Sequence, residues 1–121
     1  MRRRWLIIWL SFVALGAHAQ SVTFRTNNIV LEQSFAWARY RALSYAHYGS
    51  DAVGNWYEAA LPNREAFCMR DVSHQAIGAE ILGLGKHNEN MFRKFASNIT
   101  PEKDYCSYWE INRHNKPAPV D

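Results

Sequence analysis

Two carboxylates stand in settings that suit proton transfer: Asp71, in the run Arg70-Asp71-Val72-Ser73-His74-Gln75, and Glu110, between Trp109 and Ile111. Large apolar neighbours favour the neutral form of a carboxyl, which suits a general acid at Glu110. Asp71 and His74 are three residues apart at the expected start of a helix and so share a face. Cleaving a glycosidic bond needs two such groups, one to donate a proton and one to activate water or attack the sugar. Groups that hold sugars are close by in the sequence: Trp56, Glu58, Arg70 and His74 around Asp71, and Trp109 and Arg113 around Glu110. Arg64, Arg70, Arg113 and Lys116 are candidate partners for a uronic acid carboxylate, for which arginine offers a planar fork. Blander roles stand beside these. Asp71 is equally a helix cap, Glu110 a surface partner of Arg113, and the arginines ordinary ion-pair members. No H-x-x-x-H or C-x-x-C spacing marks a metal site, and no cofactor is expected.

The elements that must position these groups read as helices. Asn27 or Asn28 caps a helix that runs from Ile29 to Tyr48 without Gly or Pro. Leu31, Phe35, Ala38, Ala42 and Tyr45 form one stripe, and Val30, Trp37, Tyr40, Ser44 and His47 widen it. This pattern predicts a helix packed on two sides. Residues 49–70, with Gly49, Gly54 and Pro62, read as an ordered loop at a site. A second helix starts near Asp71 or Ser73 and runs to Leu82, stopped by Gly83 and Gly85. A third spans about Asn88 to Asn98, with Thr100-Pro101 opening a short turn. Residues 104–121 read as a second aromatic, charged loop. No strand-like alternation is long enough to register, so the chain reads as all-α.

The first nineteen residues read as a signal peptide. Arg2, Arg3 and Arg4 precede an apolar run from Trp5 to Gly16, and Ala17-His18-Ala19 supplies a cleavage site. The run is short of the roughly 20 apolar residues that span a bilayer. Export to the periplasm or cell exterior is therefore expected, with no stable membrane anchor after cleavage and a mature domain over 20–121. Those three arginines also account for the whole net charge of +3, since 14 basic and 11 acidic residues become 11 and 11 without them. No nucleic-acid footprint remains. Cys68 and Cys106 are either a disulfide in an oxidising compartment or two free thiols.

The runs Trp56-Tyr57-Glu58-Ala59-Ala60-Leu61-Pro62, Ala66 to Gln75 and Asp104 to Arg113 resemble the N-terminal part of exported bacterial six-hairpin glycosidases, a branch of which is associated with β-glucuronidase activity. The resemblance implies part of an (α/α)₆ toroid and a glycoside hydrolase acting on an oligosaccharide or polysaccharide, possible targets including a terminal uronic acid. Together with the aromatic density, it leads to the expectation that 20–121 is the N-terminal portion of a larger catalytic domain. On that expectation Asp71 and Glu110 are the catalytic candidates, and Trp56, Glu58, Arg70, His74, Trp109 and Arg113 line the substrate. The hydrolase activity is expected of the full-length form, and two alternatives are a non-catalytic carbohydrate-binding helical module and an inactive truncated fragment.

Overall fold

Asn28 opens the first helix, α1 (Ile29–Ser44), by accepting the N–H groups of Val30 and Leu31 on its side-chain oxygen at 3.0 and 3.4 Å. A first helical turn leaves such donors without partners, and asparagine supplies one. The computed structural model describes residues 22–60 and 64–118. The expected signal segment, 1–19, lies outside the described residues, as do Leu61 and Pro62. No helix among the described residues is long and apolar enough to cross a membrane.

The helix stops earlier than its apolar spacing predicts. Tyr45 caps it, and the chain turns into β1 (Ala46–Tyr48), which pairs antiparallel with β2 (Asn55–Tyr57) so that His47 lies opposite Trp56. Asp51 holds the intervening turn, its Oδ1 accepting the N–H groups of Val53 and Gly54 at 2.9 and 3.3 Å. Gly54, at φ +97°, takes a backbone conformation that a side chain would strain. A second antiparallel pair joins β3 (Ala66–Cys68) to β4 (Glu110–Asn112), with Phe67 opposite Ile111 and Cys68 opposite Glu110. Helix α2 (Met69–Ile81) follows β3 directly, and α3 (Gly85–Ala96) follows the turn at Gly83. Pro101–Lys103 make one 3₁₀ turn.

The all-α expectation is thus overturned. Three helices and two small antiparallel sheets of two strands each make a mixed α/β fold among the described residues. Each strand has only three residues, too few for a period of two to show in the sequence. Ala66, Phe67 and Cys68 are buried at every position, so polar alternation is absent there altogether. Both segments read as loops contain strands.

The core gathers Trp56, Tyr57, Phe67, Val72, Met91, Phe95 and Ile111 between the hairpin, the second sheet and the inner faces of α2 and α3. Polar side chains tie these layers together. The Tyr57 hydroxyl donates to Asn88 Oδ1 at 2.8 Å, and Asn88 Nδ2 donates to the Ala76 carbonyl at 2.9 Å, joining β2, α3 and α2. Asn90 Nδ2 donates to the carbonyls of Val53 and Asn55. Helix α1, expected to pack on two sides, has no buried residue. Its contacts include Leu43, which meets the core at its end, Phe35, whose ring lies 5.4 Å from that of Phe24, and Glu32, which accepts the Thr26 N–H at 2.8 Å.

Candidate functional site

The candidate residues fall into two groups joined by α2. The first surrounds the N-terminus of this helix. Met69 N–H donates to the Trp109 carbonyl at 3.1 Å, which brings the residue before β4 against the residues that open α2. The Arg70 guanidinium lies over the exposed Trp109 indole, 5.2 Å from its centroid, and Arg70 Nε is 3.7 Å from Asp71 Oδ1. Cys68 is the N-cap residue and makes no side-chain cap bond, so Asp71 is not the cap. It sits in the first turn, where the helix dipole favours a negative charge.

Glu110 belongs to the inner side of this group. It is 6% exposed, and its Oε1 accepts from Arg64 Nε at 2.6 Å. The partner expected for it, Arg113, instead pairs with Glu65. The fold explains the exchange: Arg113 N–H donates to the Glu65 carbonyl as β4 ends, which sets the two side chains together.

The second group lines a cleft of about 420 Å³ between the end of α1, β2 and α2. Tyr45 and Glu58 stand on one side, and His74, Gln75 and Gly78 on the other. Glu58 is held by its backbone N–H, which donates to the Tyr45 carbonyl at 3.0 Å, and His47 Nε2 approaches its carboxylate to 3.5 Å without forming a hydrogen bond. Helical spacing puts Asp71 one turn before His74 and Gln75, on the same side of α2. The cleft and the Trp109 patch therefore both draw residues from α2.

Trp56, read as a sugar platform, is fully buried. One face carries the His47 ring, 4.1 Å away and nearly parallel, and its indole N–H donates to Asp51 Oδ2 at 2.8 Å. Burial works against a charge on Asp51. The Trp56 indole and the Val53 and Gly54 N–H groups, with His47 nearby, outweigh it and hold the carboxyl below its ordinary value. Burial pushes the Tyr57 phenol up to about 12. His87, 4% exposed at the start of α3, has no well-formed hydrogen bond at either ring nitrogen among the described residues, and desolvation lowers its pKa against a weaker opposing interaction with the His47 backbone.

Sequence reasoning placed His47 on the stripe of the first helix, whereas it lies on β1, and it did not single out Gly78. The first had a readable signal: His47 and Trp56 flank a turn containing Gly49 and Gly54, as paired hairpin positions do. Among the described residues no group of three or more His, Cys, Asp or Glu forms a metal-binding cluster. Cys68 and Cys106 are free thiols, the first buried and the second exposed. No protein-family model, curated protein or solved structure matches the chain.

Proposed function

We propose that this chain acts on carbohydrate as a glycoside hydrolase, binding sugar where the N-terminus of α2 meets Trp109. The observation that carries the reading is the exposed Trp109 indole with Arg70 over it and Asp71 beside it. An aromatic face binds the apolar face of a sugar ring, a guanidinium receives its oxygens or a carboxylate, and a carboxyl exchanges the proton. The sequence resemblance to six-hairpin glycosidases supports the same chemistry. Asp71 remains the first carboxyl in this reading. The second moves from Glu110 to Glu58, because Glu58 borders open space across from His74, whereas Glu110 is buried against Arg64.

The test is release of 4-nitrophenol from a panel of 4-nitrophenyl glycosides, including the glucuronide, by the whole chain. Activity that falls sharply in Asp71→Asn and in Glu58→Gln supports the assignment. Full activity in either variant removes that residue from it.

The burial of Glu110 also favours a second reading, a carbohydrate-binding protein without turnover. That reading needs Trp109 and Arg70 but no proton-transfer pair. Saturable sugar binding that is lost in Trp109→Ala and unchanged in Asp71→Asn, with no hydrolysis, distinguishes it.

A further inference from the structure

Gly78 lies in the interior of α2, faces the cleft, and has no neighbour among the described residues that requires it. A Cβ built there meets no atom within 4 Å, and its backbone is ordinary helix. An interior glycine destabilises a helix by about 0.5–1 kcal/mol relative to alanine. Neither conformation nor packing among the described residues offsets that cost, so what the glycine provides is the open space itself. Around it the cleft is lined by apolar side chains, buried at Ala79 and Leu84, half-buried at Leu82 and exposed at Ala42, with half-buried Glu58 and exposed His74 and Gln75 as its polar groups. A volume of about 420 Å³ falls in the range of small-molecule sites, which are apolar concavities with a few converging polar groups.

We infer that this cleft is a binding site for a single aromatic ring carrying a hydroxyl group, a phenol or aryl alcohol. The ring lies over Gly78 against Leu82 and Leu84, and the hydroxyl donates to the Glu58 carboxylate. A sugar ring fits poorly against Ala79, Leu82 and Leu84, because its hydroxyls there would lose water without gaining partners. The substrate class follows, and this step rests on the glycosidase reading. The cleft takes the aglycone, and the sugar extends along α2 towards Asp71 and Trp109, so aryl glycosides are preferred over alkyl ones.

Two ligands separate this inference from the reading beneath it. 4-Nitrophenol and a methyl glycoside are each titrated into the whole chain, in a buffer acidic enough to keep the phenol protonated, with backbone and His74 ring resonances followed by NMR. The expected result is saturable perturbation by 4-nitrophenol at His74 and Gly78, at least tenfold weaker in Gly78→Phe, whose side chain fills the space. Gly78→Ala reports a partial loss in a helix that is better formed than the original. Absence of saturable 4-nitrophenol binding to the unsubstituted chain overturns the inference, even if the methyl glycoside perturbs Trp109. Binding of 4-nitrophenol with no response to any glycoside keeps the ring site and overturns the glycosidase reading instead. If the same resonances change with protein concentration alone and Gly78→Phe abolishes that change, the cleft belongs to a second copy of the chain and the small-ligand assignment fails.

Discussion

The imidazole of His47 lies flat against the indole of Trp56, ring centroids 4.1 Å apart and planes 7° from parallel. This contact links the hairpin turn to the cleft, because Trp56 donates to Asp51 on one side and His47 reaches Glu58 on the other. Trp56 is fully buried and also packs on Phe67, 5.6 Å away between centroids. Trp56→Ala is expected to lower stability by about 3–5 kcal/mol, the range for deleting a large buried aromatic. Urea unfolding checks it. A loss under about 1 kcal/mol would mean that the hairpin does not depend on this core contact.

Arg64 and Glu110 differ in exposure, and their substitutions should differ accordingly. Glu110 is nearly enclosed, whereas the Arg64 side chain is about a quarter exposed. Removing the cation in Arg64→Leu leaves a buried carboxylate short of a donor. The expected cost is about 2–3 kcal/mol, below the full range for buried pairs because Arg64 is partly solvated. Glu110→Leu leaves a guanidinium that water can reach, and is expected to cost about 1 kcal/mol or less. Paired denaturation curves test the order. Equal losses would contradict the asymmetry.

Stability should fall as the solution is acidified through the histidine range. His87 is buried, its pKa is lowered by desolvation, and its nearest described ring neighbour, Tyr48, meets it edge-on at 4.8 Å. Repulsion from the neighbouring His47 ring adds to the lowering, while the His47 backbone opposes it. The unfolded chain therefore takes up this proton first. The contribution is fully present above about pH 6.5 and is lost as pH falls below it, towards the lowered folded value. Melting temperatures at pH 7.5 and 5.5 measure the slope, and His87→Leu should flatten it. An unchanged slope in that variant would exclude His87 as its source.

Gly78→Ala is expected to raise stability by about 0.5–1 kcal/mol, since the methyl group enters open space and the unfolded chain loses freedom. Chemical denaturation of the two proteins decides it. A destabilised alanine variant would show that something already fills that space.

The helices were legible because each carries a signal longer than one turn. The Asn28 cap and the run from Ile29 place α1, and Gly83, with φ +84°, separates α2 from α3 as its position suggests. The strands were not, since three buried residues such as Ala66-Phe67-Cys68 have no periodicity to read. The pattern on α1 misled for a different reason. Apolar spacing reports which face is suited to packing, not whether a partner is present, and Trp37 and Tyr40 stand exposed. Of the site, Arg70, Asp71 and His74 share one helix and were readable from their spacing. The link of that helix to Trp109 depends on β3 pairing with β4, a register between segments more than forty residues apart that no local pattern encodes.

The central claim is that Asp71 transfers a proton in glycoside cleavage beside Trp109. It is tested most directly by the rate of 4-nitrophenol release from 4-nitrophenyl glycosides, compared between the chain and Asp71→Asn at equal melting temperature. The expected result is measurable release by the chain and a loss of about 10²-fold or more in the variant, the size of a general acid–base contribution. Equal release by both proteins, or no release by either on any glycoside of the panel, would contradict it.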